Sequence, residues 1–412
     1  MKKILYNRFS ASVLLLLTIF TGLGLQSCEK NENDQKMPEV NYIRICDPAK
    51  SDSLIVHSYM GNNIVIIGNH LGDVDEVWFN DQPANLNPNL VTDNSIIVMI
   101  PEIIPTKVTN KMMLINRNKA DTCKYDFGVD VPAPLLSSMK CEYVDDGGTA
   151  IINGNYLISD PSSPLAVYFP GNIQGTVTSV SLHQIAVTVP SGIVGSGPIQ
   201  VKSLYGTTRS TFYFRDDRNM IINFDDLTAA GGWRTGVLDN ANPNPVSGKF
   251  VRFTGALAGK AGTTWNEDGF SFDYWPAKQS KPDVTLYPDG DFSKAYIKFE
   301  CNVLAAWKSC ALQMIFTPYS TYDGNSYIAD ASVPRGLWIP WKETGSYTTD
   351  GWITVALPLS DFIYTGEGKV CTNKLTADML RGLTFFVWNG GVDGADCSPN
   401  ICIDNIRIVP TL

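Results

Sequence analysis

The chain has 412 residues, of which 44% are hydrophobic, and a formal net charge of −9 at pH 7. Its length allows two or three domains of ordinary size. Nucleic acids and anionic membrane surfaces bind basic protein surfaces, so the acidic balance argues against either as a partner.

The first 28 residues have the pattern of a bacterial secretion signal. Lys2 and Lys3 precede the apolar run 13–20, which is shorter than the roughly 20 residues that a membrane span needs. The segment Leu25-Gln26-Ser27-Cys28 resembles the bacterial lipobox. That resemblance implies that Cys28 is lipidated and becomes the first mature residue. A plain cleaved signal that happens to contain a cysteine is the alternative.

Residues 29–37 are nearly all polar and contain no aromatic side chain, which predicts a solvated tether. An acidic stretch directly after the lipidated cysteine resembles the surface-export signal of Bacteroidota lipoproteins. This resemblance implies a lipid-anchored protein that is exposed on the cell outer membrane. A placement that faces the periplasm is the alternative.

Residues 38–131 and 132–216 carry one strand pattern twice. Each copy has a β-branched run that ends in Gly-Asn, an aromatic run, a run that ends in proline, and a further run rich in apolar residues. Short runs of this kind, bounded by Gly, Asn and Pro, are typical of antiparallel sandwiches. The paired segments are 64–69 and 150–155, 77–79 and 167–169, 96–101 and 185–190, and 112–116 and 199–202.

This order of segments resembles the immunoglobulin-like plexin and transcription-factor module, also called IPT or TIG. The resemblance covers both copies and implies two tandem immunoglobulin-like sandwiches. Neither copy contains a catalytic constellation, so we expect spacers. Direct contact with a glycan or a protein is the alternative role.

At about residue 217 the composition changes, because eight of the nine tryptophans follow this point. Strand patterns continue at 295–300, 352–357 and 382–388, which predicts one large sandwich over residues 217–412. The sequence thus predicts an all-β protein.

Three segments, 221–227, 349–362 and 401–408, together resemble jelly-roll carbohydrate-binding modules and the C-terminal domain of surface glycan-binding proteins. The resemblance implies a larger jelly-roll β-sandwich after the two IPT-like modules. It also implies non-catalytic capture of a neutral polysaccharide, of β-glucan or xyloglucan type, for degradation and import. An outer-membrane glycan transporter is the partner that this family implies.

Tryptophan is informative because an aromatic ring covers the apolar face of a pyranose and leaves its hydroxyls accessible. The segment 334–342, which holds Trp338 and Trp341, also contains Pro334 and Pro340, which predicts an edge or a loop there. We expect Trp352 to lie in the core and Trp233 to lie in the core or at its rim. The predicted glycan-contacting residues are Trp275, Trp307, Trp338, Trp341, Trp388, Tyr319 and Tyr322.

Asp225 and Asp226 open the C-terminal domain and Asp404 lies near its end. If the terminal strands pair, these carboxylates come together, and related jelly rolls hold a structural Ca²⁺ in such a place. Solvated or hydrogen-bonded aspartates are the alternative.

Two other function classes stay open. A glycoside hydrolase needs two carboxylates about 5–5.5 Å or 6.5–9.5 Å apart, and Glu267, Asp268, Glu300 and Glu343 are available by inventory. None of them lies in a recognisable catalytic context, and the C-terminal domain has no histidine for a Ser-His-Asp triad. In a surface adhesin, the tryptophans would anchor a protein partner instead.

Eight cysteines follow Cys28 in a compartment that permits disulfides. Cys397 and Cys402, or Cys301 and Cys310, could pair locally. Free buried thiols are the alternative.

Overall fold

The computed structural model describes residues 36–117, 122–226, 236–260, 267–279, 282, 284–288, 291–318 and 326–410. The chain divides into two compact units, of which one ends at Pro132 and the other begins at Ala133. No helix in these described ranges combines the length and the hydropathy that a bilayer crossing requires. The signal segment and Cys28 lie outside the described residues.

The first unit is an immunoglobulin-like sandwich of short strands. One sheet has the order β1-β3-β6, the other has the order β5-β4-β7-β8, and β2 pairs with β9 in parallel. Val77 and Phe79 face the interior, where the Phe79 ring meets Phe127 edge-on at 5.9 Å. The strands are β1 (Glu39–Ile45), β2 (His57–Tyr59), β3 (Asn63–Asn69), β4 (Val74–Phe79), β5 (Gln82–Pro83), β6 (Ser95–Met99), β7 (Lys111–Asn116), β8 (Thr122–Asp126) and β9 (Gly128–Asp130).

The second repeat forms a sandwich of the same kind at the start of the second unit. Its sheets have the orders β10-β11-β15-β14 and β13-β12-β16-β17, and Phe169 packs edge-on against Phe214 at 4.9 Å. The strands are β10 (Leu135–Met139), β11 (Thr149–Asn155), β12 (Ala166–Phe169), β13 (Ile173–Gln174), β14 (Thr176–Val180), β15 (Gln184–Thr188), β16 (Gly197–Ser203) and β17 (Gly206–Phe214).

The glycine that recurs in both repeats is required for the same structural reason in each. A Cβ on Gly68 would lie 1.9 Å from the carbonyl oxygen of Glu39, and a Cβ on Gly154 would lie 2.0 Å from that of Leu135. In each module the pairing register shifts within the first strand, next to this contact. Glycine is therefore required where the first strand approaches its neighbour.

The C-terminal domain is a larger β-sandwich, so the all-β prediction of two immunoglobulin-like sandwiches and a jelly roll is confirmed. Its strands and helices are β18 (Met220–Ile222), β19 (Val237–Asp239), β20 (Phe250–Thr254), α1 (Glu267–Phe270), β21 (Ser271–Tyr274), β22 (Ala295–Ala305), β23 (Ala311–Thr317), α2 (Ser326–Ala329), β24 (Arg335–Trp338), β25 (Ile353–Pro358), β26 (Gly382–Trp388) and β27 (Asn400–Pro410). Short 3-10 turns occur at Pro48–Lys50, Pro88–Leu90, Pro170–Asn172, Pro276–Gln279, Phe292–Lys294, Leu359–Asp361 and Ala377–Met379.

Two sheets enclose the core of this domain. One has the order β19-β20-β27-β22-β25, with β18 also paired to β27, and the other has the order β21-β26-β23-β24. Phe299 from the first sheet meets Phe385 from the second edge-on at 5.3 Å. We call the second sheet the four-stranded sheet below.

The second repeat and the C-terminal domain share one compact unit, and main-chain bonds join them. The Thr354 N–H donates to the Lys140 carbonyl at 2.9 Å. The Glu142 N–H donates to the Thr354 hydroxyl oxygen at 2.7 Å. Residue 216, the predicted boundary, therefore separates two sandwiches that belong to one unit. The division between the two units lies at residue 132.

Candidate functional site

The outward face of the four-stranded sheet carries polar and aromatic side chains on alternate residues. Strand residues alternate between faces, so Phe272, Leu312 and Phe385 point into the core while the residues beside them point outward. Register places Asp273 opposite Thr384, Thr384 opposite Ile315, and Ile315 opposite Arg335. These residues form one row across the sheet.

Hydrogen bonds fix the first part of this row. The Thr384 hydroxyl donates to Asp273 Oδ1 at 2.6 Å, and its oxygen lies 2.6 Å from the hydroxyl of Tyr327 in α2. Tyr327 also packs edge-on against Trp275, with ring centroids 6.2 Å apart. Helix α2 therefore covers part of the outward face and makes it rigid.

Arg335 closes the row and is fully buried. Its Nη1 donates to Gln313 Oε1 at 3.0 Å. Gln313 Nε2 in turn donates to the carbonyls of Gly366 at 3.0 Å and Trp388 at 2.8 Å. Loss of solvation lowers the pKa of Arg335 to about 10, so its guanidinium stays charged at neutral pH. The chain of bonds fixes the backbone at the end of β26, from which Trp388 projects.

Trp388 is the half-buried aromatic residue of this face. Its ring lies at 16° to Phe386, with centroids 6.0 Å apart, and its register partner on β23 is the small residue Ala311. An aromatic ring held by a rigid support is the kind of surface on which a pyranose stacks, because little side-chain entropy is lost on binding.

Three of the predicted glycan-contacting tryptophans are buried, so the expectation that they lie on an exposed platform is wrong. Trp275, Trp307 and Trp341 expose 1%, 0% and 3% of their surface. The Trp307 N–H donates to the Ser309 carbonyl at 2.6 Å, and the Trp341 N–H donates to the Cys310 carbonyl at 2.7 Å. Both indoles hold the turn between β22 and β23, and because their N–H groups are bonded, burial is not penalised.

Two further tryptophans occupy the rim. Trp338 is half-buried and meets Phe299, Trp307 and Tyr347 edge-on at 5.8, 5.7 and 5.8 Å. It therefore packs toward the interior of the sandwich, away from the Trp388 face. Trp352, expected in the core, is also half-buried, and its N–H donates to the Asn244 carbonyl at 2.7 Å. Trp233, Tyr319 and Tyr322 lie outside the described residues.

The sequence reasoning missed the buried polar residues of this face. Asp273, Gln313, Thr384 and Arg335 are not aromatic and have no motif spacing. A signal was nevertheless present, since Gln313 and Thr384 are single polar residues inside otherwise apolar strands. A polar side chain at such a position must find a buried partner, which marks the face where a polar network forms.

The three predicted calcium ligands do not form a cluster. Asp404 is buried and accepts from the Asn405 N–H at 2.8 Å, and burial raises its pKa to about 9. Asp225 accepts from the Lys249 N–H at 2.6 Å, whereas Asp226 is exposed. No group of three or more His, Cys, Asp or Glu side chains within the described ranges is placed to hold a metal ion. The geometry therefore favours hydrogen-bonded aspartates.

Of the carboxylates considered for hydrolysis, Glu300 and Glu343 have different surroundings, and the side chains of Glu267 and Asp268 lie outside the described residues. Glu300 is fully buried and accepts two bonds from Arg407, at 2.8 and 3.0 Å. Glu343 is exposed. A carboxylate that is buried in an ion pair is not available to protonate a glycosidic oxygen. Glu300 therefore has a structural role.

The eight cysteines within the described ranges are free thiols, so neither predicted local pair forms. Burial raises the pKa of Cys301 well above its ordinary value and that of Cys402 to about 12. Both thiols therefore stay protonated at neutral pH and act as small apolar side chains.

Comparison with known proteins shows what the C-terminal domain is similar to. Residues 214–410 match the surface glycan-binding protein B xyloglucan-binding domain. An IPT/TIG domain-containing protein of Bacteroides ovatus is 28% identical over 218 residues, which are 48% of this chain and 44% of that protein. The crystal structure of a surface glycan-binding protein B from Prevotella bryantii is 28% identical, with a TM-score of 0.68, and the match covers 91% of this chain and 99% of that one. The C-terminal domain of this chain is thus similar to the surface glycan-binding protein B xyloglucan-binding domain.

Proposed function

We propose that this protein is a non-catalytic surface lipoprotein that captures a neutral polysaccharide of the xyloglucan or β-glucan type. The match of residues 214–410 to a xyloglucan-binding domain carries this proposal. The Glu300 carboxylate accepts a hydrogen bond from Arg407 and is therefore not free to act as a catalytic acid, which supports capture without cleavage. The bound chain would then pass to degradation and, through an outer-membrane transporter, to import.

We assign the contact surface to the half-buried ring of Trp388, at the end of β26 on the outward face of the four-stranded sheet. Gln313, held by Arg335, fixes the backbone of Trp388, and Phe386 supports the ring from the same strand. A sugar that stacks there exchanges bonds to water for bonds to protein, so each polar contact adds little and we expect a modest affinity.

We propose that lipidated Cys28 attaches the protein to the outer membrane and that residues 29–37 form the tether. Several acyl chains on one cysteine hold a protein firmly, because each buried methylene contributes about 0.8 kcal/mol. This tether would hold the glycan-binding domain on the outside of the cell.

Affinity electrophoresis in gels that contain xyloglucan or mixed-linkage β-glucan tests the proposal. The wild-type chain should be retarded, and Trp388→Ala should weaken the retardation while the melting temperature changes little. Trp338→Ala is the matched control, since it also removes a half-buried indole, but one that packs against Trp307 toward the interior of the sandwich. It should lower the melting temperature and keep the retardation. A wild-type chain that migrates freely in every neutral glycan would refute the proposed function.

A further inference from the structure

A cleft of about 300 Å³ lies where the second immunoglobulin-like module meets the C-terminal domain. We call it the junction cleft. This volume is near the lower end of ligand pockets, which span roughly 300–1,000 Å³, so it suits one sugar ring. Its walls come from edge strands β10, β17 and β25 and from β22 and the end of β27. Among its lining residues are Ser137, Thr211, Tyr296, Lys298, Thr354 and Ala356.

Buried charges beneath the junction cleft keep its two sides in fixed positions. Glu142 from the second module accepts from Lys298 Nζ at 2.6 Å and from Arg407 Nη2 at 2.6 Å. Arg407 also binds both carboxylate oxygens of Glu300. Because breaking such a buried network leaves a charge unpaired, the two sandwiches cannot easily separate. The cleft is therefore preformed.

The floor of the cleft offers hydrogen-bond donors that the described residues leave open. Lys298 is 6% exposed, and Glu142 is the one acceptor that its ammonium group contacts within the described ranges. An ammonium group has three N–H bonds, so two remain for a ligand or water. The hydroxyl-bearing residues Tyr296, Ser137 and Thr211 also line the cleft, and the Tyr296 ring is half-buried. A ligand with several oxygens beside an apolar face matches this combination.

The electrostatics select an uncharged ligand. Two carboxylates, Glu142 and Glu300, face two cations, Lys298 and Arg407, so the formal charges at the floor cancel. A uronic acid would add a carboxylate without an unpaired cation to receive it.

We propose that the junction cleft is a second carbohydrate site that takes one neutral sugar residue. The choice of a sugar as the ligand rests on the proposed function, whereas the location of the site rests on the cleft itself. The ring would lie against Tyr296, and its hydroxyl oxygens would accept from Lys298.

Calorimetric titration of the full chain with a neutral xylogluco-oligosaccharide, in a Trp388→Ala background, isolates the cleft. Residual weak binding should remain in that background. Adding Thr211→Trp, which fills the cleft from an exposed strand position, should weaken the residual binding about tenfold or more. Thr207→Trp, an exposed position on the same strand β17, is the matched control and should leave it unchanged. Thermal melts of each variant confirm folding.

The outcomes separate the two proposals. If Trp388→Ala alone abolishes all binding, the second site is refuted while the proposed function stands. Residual binding that Thr211→Trp leaves intact also refutes the second site. If the residual site prefers a uronic acid over a neutral sugar, the assignment of a neutral ligand is wrong. If the wild-type chain binds no neutral glycan, the proposed function fails together with this inference.

Discussion

Glu142 and Arg407 are 265 residues apart in the chain, yet Glu142 Oε2 lies 2.6 Å from Arg407 Nη2. Both side chains are almost fully buried. This pair joins the second immunoglobulin-like module to the last strand of the C-terminal domain. The contact explains why the two sandwiches form one compact unit from Ala133 onward.

Glu142→Ala should destabilise this unit strongly, because it leaves Arg407 and Lys298 without a shared carboxylate. Removing one partner of a buried pair costs about 3–5 kcal/mol, which corresponds to a drop of roughly 10 °C in melting temperature. Asp350→Ala is the control, since Asp350 also makes an ion pair across this junction, with Lys140 at 3.3 Å, but is fully exposed. Calorimetric melts that show equal effects for both variants would contradict a structural role for the buried pair.

Truncation at two points tests the same junction. Residues 133–412 should fold and keep the glycan affinity of the full chain, because both sandwiches remain. Residues 217–412 should melt at a lower temperature, because Arg407 and Lys298 lose Glu142 and become exposed at the former junction. Equal melting temperatures for the two fragments would show that the sandwiches are independent domains.

The all-β fold and the repeats were predictable because they depend on local patterns. The landmark glycines Gly68 and Gly154 recur because each lies against a carbonyl at the start of the first strand of its module. The joining of the second module and the C-terminal domain into one unit was not predictable from such patterns. It depends on a buried contact between Glu142 and Arg407, and neither residue stands in a context that distinguishes it from a surface charge.

The candidate site was only partly predictable, because tryptophan is both a core and a surface residue. Trp307 and Trp341 stand between strands, which suggested exposed loops. Their burial follows from carbonyl acceptors at Ser309 and Cys310, which become apparent once the turn has folded. Trp388 ends a strand and remains half-buried, as a binding residue at the rim of a face should be.

Trp307→Ala and Trp341→Ala should therefore act on stability. Each removes a buried indole and leaves a cavity, which costs about 3–5 kcal/mol. Trp388→Ala should cost less, because its ring is half-buried. Urea unfolding of the three variants beside affinity gels checks this order. Trp307 or Trp341 variants that fold normally but lose glycan binding would show that those residues belong to the binding surface.

Cys28→Ser should release the protein from the outer membrane or leave it with its signal uncleaved, because lipid is the proposed attachment. Cell fractionation shows the location, and protease treatment of whole cells shows which side is exposed. Ser27→Ala, which keeps a small residue before the cysteine, is the matched control and should stay anchored. A Cys28→Ser protein that remains membrane-bound and accessible to protease would contradict the lipid anchor.

Asp404→Asn should change how stability depends on pH. Burial raises the pKa of Asp404 to about 9, so its folded carboxyl holds a proton that the unfolded one releases near pH 4. Between these values the folded state binds the extra proton, and the free energy of unfolding falls as pH rises, by up to about 1.4 kcal/mol per pH unit. The uncharged amide removes this dependence. The variant should therefore gain stability relative to wild type between pH 5 and pH 8 in thermal melts, and EDTA should leave both unchanged. A wild-type chain that EDTA destabilises would show that a bound cation keeps Asp404 ionised.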